Sequence, residues 1–196
     1  MRKLADIAEV RAGYTFRKPE KGTELFPYPV IQIKDITPDG KLNSATVSTI
    51  FLPGLFDKQL VWSGEVVLSA RGTRNRAAVY NGEFQEAVAG TQFWIIRPKK
   101  GGVLPEFLAW YLNQPQTQQY FAARTHGTYI GMIQKEAVNE LRIPVPPIET
   151  QQKIVAVHEL ALREQGAMEQ LKNKRAELVS TLCTQAAEKF STGSKI

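Results

Sequence analysis

Arg71, Arg74, Asn75 and Arg76 crowd one short segment, with Gly72 and Thr73 between them. A guanidinium offers parallel donors that match the O6 and N7 acceptors of guanine, and an asparagine amide matches the edge of adenine. No carboxylate occurs between Glu65 and Glu83, so these arginines lack an acidic partner nearby in sequence. The plain alternative is a solvated hairpin tip, or an arginine stacked on an aromatic ring. A second acid-free stretch, Phe107 to Lys135, holds Arg124, His126, Gly127, Thr128 and Tyr129. Its backbone N–H groups and hydroxyls could hold phosphate oxygens, and an ordinary polar turn fits equally well. Lys34 and Gln92, on candidate strands, join Thr73, Thr128 and Tyr129 as further candidate contacts to nucleic acid.

Catalytic patterns are sparse. No Walker-type phosphate loop occurs, and no S-adenosylmethionine or amino-methyltransferase motif is visible. The two histidines, His126 and His158, lie far apart with no cysteine beside them, which argues against a zinc site. The acidic residues are dispersed, without the pairing expected of a metal-dependent nuclease. The single cysteine, Cys183, excludes an internal disulfide framework, as expected of a cytosolic protein, and reads as a packed thiol. A small nuclease or methyltransferase therefore stands as the weaker rival to a binding protein.

The elements that must position these residues divide the chain in two. Leu4–Val10 predicts a short helix or turn feeding a strand that ends at Gly13. Pro27 to Ile36 alternates apolar and polar residues at period two, a strand closed by the turn Pro38-Asp39-Gly40. Further strands are predicted over Val61–Ser69, with Ser63-Gly64-Glu65 as a turn before Val66-Val67-Leu68, at Ala77–Tyr80 and at Gln92–Arg97. The arginine segment is thus a loop between two strands. Pro105 and Pro115 each suit the first turn of a helix, a brief helix surrounds Val138, and a short strand spans Leu141–Val145. Pro146-Pro147 stops it, because proline removes a donor and restricts the residue before it.

From Ile148 to about Lys189 there is no proline and only Gly166. Ile154, Val157, Ala161, Glu164, Met168, Leu171, Arg175, Leu178 and Leu182 recur at three and four residues, the seam of a helix that packs along its length. Such a helix would be about 60 Å long and overhang a domain of this size; one folded back on its own domain is the alternative. The tail 191–196 reads as frayed. The two non-apolar positions of this seam, Glu164 and Arg175, are of opposite charge.

The net charge of +6 is uneven. Residues 1–147 hold 18 Lys/Arg against 13 Asp/Glu, and residues 148–196 hold seven against six. The surplus lies on the globular part, where it would attract phosphates. No apolar run approaches the ~20 residues of a membrane span. The N-terminus shows no signal-peptide core, so a cytoplasmic protein is expected.

These motifs carry a family resemblance. Leu4-Ala5-Asp6-Ile7-Ala8 with Gly13-Tyr14-Thr15-Phe16, then Tyr28–Ile36, resembles the opening of a target-recognition domain in type I restriction–modification specificity subunits. Gly64–Ser69 with Arg71-Gly72-Thr73, the helix Leu104–Leu112, the Gly127-Thr128 turn and Leu141–Gln151 with Ile154-Val155 are similar to later elements of that family, in order. The resemblance implies an α+β fold: one mixed, β-rich recognition domain over 1–147, then a spacer and dimerisation helix over 148–190 in an antiparallel coiled coil. It implies a non-catalytic subunit without a cofactor of its own that reads double-stranded DNA. Methyltransferase subunits would bind S-adenosylmethionine and bring in the restriction subunit. Family members carry two recognition domains and two such helices, whereas this sequence has one of each. A half-length form that pairs with a second copy to read a bipartite site is therefore expected. The rival within the family is a truncated subunit acting as an assembly module that no longer reads DNA.

Overall fold

The structure, a computed structural model, describes residues 1–18, 21–72, 74–125 and 131–192, with side chains through 188. Thr73, Thr128 and Tyr129 lie outside the described residues, as does the Gly127-Thr128 turn.

Strand β1 (Arg2–Lys3) leads into α1 (Leu4–Ile7) and β2 (Ala8–Ala12), then β3 (Phe26–Ile31) and β4 (Ser48–Leu52). The β-rich half continues with β5 (Glu65–Ser69), β6 (Ala77–Tyr80), β7 (Val88–Ala89) and β8 (Phe93–Pro98). Helices α2 (Pro105–Leu112), α3 (Pro115–Ala122) and α4 (Lys135–Glu140) follow, then β9 (Arg142–Ile143) and the long α5 (Ile148–Thr192). The main sheet runs β2-β8-β5-β6, the smaller one β4-β3-β7, and β1 pairs with β9.

The main sheet is covered on both faces. Every residue of β5 is buried, and the two-residue period of a strand sends its side chains to opposite faces. Val66 and Leu68 join Trp94 and Ile96 under Phe107, Leu108, Leu112 and Phe121 of the helices. Val67 joins Ala78, Phe93 and Ile95 against Ile31, Ala87 and Ala89 at the smaller sheet. A three-layer α+β domain results, with helices, main sheet and small sheet in that order.

The strand expectations are corrected in three ways. The alternation read through Ile36 ends as a strand at Ile31, because Ile33–Asp35 turns as a 3-10 helix. The buried Asp35 carboxylate accepts the Gln32 N–H at 2.8 Å and the Thr46 hydroxyl at 2.6 Å, which closes that turn. Strands β1, β4 and β7 are additional to the predicted set, and the strand expected from Val61 begins only at Glu65, after Gly64 turns the chain at φ +83°.

The chain divides into two units, Met1–Val155 and the remainder from Ala156. The first therefore reaches beyond the expected boundary at 147. Gln151 is fully buried at the head of α5. Its Oε1 accepts from Leu104 N at 2.8 Å, and its Nε2 donates to Pro146 O at 2.8 Å. Ile154 and Val155 pack against the core. The second unit is helix as far as Thr192, so the tail expected to fray from 191 is helical for two residues more. Cys183 is exposed on that helix rather than packed. No helix among the described residues is long and apolar enough to cross a membrane.

Candidate nucleic-acid interface

One end of the first unit gathers the loops that carry the candidate contacts. Strand β5 leaves at Ser69, opposite Phe93 where β8 begins, and β2 leaves at Ala12 opposite Trp94. Strand β3 leaves at Ile31 beside Ala89, just before the Gly90–Gln92 turn. The segments after β2, β3 and β5 and before β8 therefore emerge together. Arg76 Nη1 reaches Ile36 O at 3.3 Å, tying the arginine loop to the turn after β3. Thr125 lines a shallow groove with Gly72 and Arg74, and Ile133 N donates to Ala70 O at 2.9 Å.

The base of the arginine loop is pinned from three sides. Ser69 N donates to Arg76 O, and Arg76 N donates to Ser69 Oγ, both at 2.8 Å. Ala70 N donates to Gln92 O at 2.7 Å. From the helical layer, Gln118 Oε1 accepts from Asn75 N at 3.0 Å and its Nε2 donates to Asn75 O at 2.9 Å. Asn113 repeats the pattern two residues on, accepting from Ala77 N at 3.0 Å and donating to Ala77 O at 2.8 Å. These side-chain amides occupy the hydrogen-bonding positions of a strand neighbouring β6, which is otherwise a sheet edge.

What the pinned base leaves outside is charge. Arg71 and Arg74 are exposed, and their guanidinium groups have no partner among the described residues. Gly72 turns between them at φ +113°, a conformation that L side chains rarely adopt. Arg76 is half-buried, and Lys34 stands exposed on the 3-10 turn whose Asp35 carboxylate is engaged internally. Asn75 is different. It is buried, and its Nδ2 donates to Ser69 O at 2.9 Å, so its amide holds the loop together instead of facing outward.

A second charged cluster is structural. Glu65 is 2% exposed and receives Arg11 Nη2 and Arg97 Nε, each at 2.7 Å, together with Trp62 N at 2.9 Å. Burial pulls the Arg11 guanidinium below its ordinary value, against the opposing pull of Glu65. Among the described residues no group of His, Cys, Asp and Glu could hold a metal ion.

A family model described as the type I restriction modification DNA specificity domain matches residues 1–174. The chain belongs to that family. The specificity domain resembles the specificity subunit of the Haemophilus influenzae type I restriction enzyme HindI, with 28% identity over 161 residues, 79% of this chain and 35% of that subunit. The chain thus spans about a third of the length of that relative. Its fold matches the HsdS subunit from Thermoanaerobacter tengcongensis at a TM-score of 0.59, with 18% identity, over 86% of this chain and 38% of that one. A chain from a study of type I R-M complex assembly and conformational transition matches at 0.63, with 19% identity, over 88% and 40%.

In this specificity domain Lys34, Arg71, Arg74, Arg76 and Gln92 lie on segments that emerge at one end of the sheets, and Asn75 is buried at the base of the arginine loop. Sequence reasoning missed Gln118 and Asn113. The only signal was the run of amides at Asn113, Gln114, Gln116, Gln118 and Gln119 around a helix start. On the second unit, Val157, Met168, Leu171, Leu178 and Leu182 are all exposed, as are Ala161, Glu164 and Arg175. Ile154, expected on the same seam, is instead packed against the core of the first unit.

Proposed function

We propose that the Met1–Val155 domain reads one half of a bipartite site in double-stranded DNA, and that the helix beyond it pairs antiparallel with that of a second copy. The observation that carries this is the placing of Arg71, Arg74 and Arg76 on a hydrogen-bonded loop base at one end of the sheets, with Lys34 exposed on the 3-10 turn that Arg76 joins through Ile36. Exposed arginines without acidic partners suit guanine edges and phosphates. Thr73, Thr128, Tyr129 and Gln92 join them as contacts, and Asn75 positions the loop. The paired helices set the distance between the two halves. Methylation and cleavage belong to methyltransferase subunits, which carry S-adenosylmethionine, and to the restriction subunit they recruit in the cytoplasm. The chain itself needs no cofactor and catalyses nothing.

Light scattering with and without a random duplex library, followed by sequencing of the bound duplexes, tests this reading. The expected result is a dimer that enriches a two-part motif with mirrored halves and a fixed gap. A chain that binds methyltransferase subunits but enriches no sequence, alone or in that complex, is an assembly module. Turnover of DNA by the purified chain would make it an enzyme.

A further inference from the structure

Phe16 lies on the segment that follows β2, at the same end of the domain as the arginine loop, and is 42% exposed. Its ring meets Tyr14 edge-on, with centroids 5.2 Å apart and planes at 78°, which fixes its orientation. The other side of its setting is Gly90. A Cβ on Gly90 would lie 3.0 Å from Phe16 Cε2 and would collide with Gln92 Oε1. Phe16 and Gln92 therefore occupy the same small space above a backbone that has no side chain. Gln92 gives its backbone carbonyl to Ala70 N, while its side-chain amide makes no hydrogen bond with the described residues.

An exposed aromatic ring beside a free amide has a specific complement in the major groove. An amide matches N6 and N7 of adenine, and an apolar ring packs on the C5-methyl of thymine. We infer that Phe16 and Gln92 form a single reading unit for an adenine and the neighbouring thymine methyl, with Gly90 as its floor. The unit rests on the DNA-reading function proposed above and names the base chemistry of one position in the site. The arginine loop supplies guanine and phosphate contacts, and the Phe16–Gln92 unit supplies the A·T discrimination that arginine lacks.

The test uses the full chain and duplexes that carry its selected motif. Each thymine is replaced in turn by deoxyuridine, which removes only the methyl group. Each adenine is replaced by 7-deazaadenine, which removes only N7. The wild-type chain should lose about tenfold in affinity at one thymine and at one adjacent or paired adenine, in line with discrimination by a single good contact. Phe16→Ala should become indifferent to the uridine replacement while still sensing the deazaadenine, and Gln92→Leu should show the reverse. Gly90→Ala, which displaces both side chains, should blunt both responses. Retained salt-dependent binding to unrelated duplex shows that each variant is folded. If Phe16→Ala still senses every methyl that the wild type senses, the inference falls and the DNA-reading function stands. If the wild type enriches no motif at all, both fall together.

Discussion

Gln118 and Asn113 act on the arginine loop without being part of it. Each amide pairs with both the N–H and the C=O of one residue, Asn75 and Ala77 respectively, so α3 and the corner before it serve as a neighbouring strand. Gln118 Nε2 also donates to Leu112 O at 2.8 Å, which locks the helical corner. Replacing Gln118 by Leu leaves the Asn75 N–H, the Asn75 carbonyl and the Leu112 carbonyl without these partners. A loss of about 2 kcal/mol in urea unfolding is expected, because part-buried backbone groups left unsatisfied are costly. Affinity for the selected duplex should fall as well. The salt dependence should stay unchanged, since every cation remains in place. An unaltered selected motif with unaltered stability would mean that the clamp positions nothing.

At the scale of elements, α5 does two jobs along one helix. Its first two turns complete the domain through Gln151, Ile154 and Val155. From Val157 to Leu182 it offers a stripe of exposed apolar residues, over roughly 38 Å at 1.5 Å per residue. With Ile154 assigned to the domain, the remaining seam is symmetric about its centre. In an antiparallel pair Val157 faces Leu182, Ala161 faces Leu178, Glu164 faces Arg175 and Met168 faces Leu171. Leu160 and Val179, also exposed, widen the stripe on its flanks. Charged pairs inside such a seam select register more than they stabilise it. Glu164→Arg should therefore shift the solution mass from dimer toward monomer, by setting arginine against arginine twice. Adding Arg175→Glu should restore the dimer. A mass that neither change alters would place the pairing on another face of the helix.

At the scale of the molecule, the positive surplus belongs to residues 1–147, and the remainder is close to neutral. On the proposed reading the two units divide the physics: electrostatic attraction to a duplex in one, apolar association in the other. Lys34 is a solvent-facing point charge on the 3-10 turn, suited to a phosphate rather than a base edge. Lys34→Ala should weaken binding to all duplexes alike. It should reduce the slope of log affinity against log salt concentration by about 1, the value for a single phosphate no longer neutralised. A change in the selected sequence with no change in slope would make Lys34 a base reader.

Local chemistry was legible in the sequence. Pro105 and Pro115 stand at the starts of their helices, Ala77–Tyr80 is a strand as predicted, and the helix free of proline runs from Ile148. Each of these follows from propensity and period, which act within a few residues. The arginine loop was legible as a cation-rich, acid-free link between strands for the same reason. The tertiary structure decided the rest, where the outcome depends on atoms far apart in the chain. The end of β3 at Ile31 depends on Asp35 reaching Thr46, which no alternation of residue types reveals. The fate of Asn75, a candidate reader by type and a buried brace by position, depends on Gln118, 43 residues away. Ile154 keeps the spacing of the seam yet packs into the domain, because the helix begins inside the first unit before it leaves it. Phe16 and Gln92 share one space only because their strands end side by side and Gly90 leaves room. The sequence by itself determined which segments are strand, helix and cation-rich loop, since those choices are local. Which side chains face outward was decided by packing, since burial depends on what the fold sets against each residue.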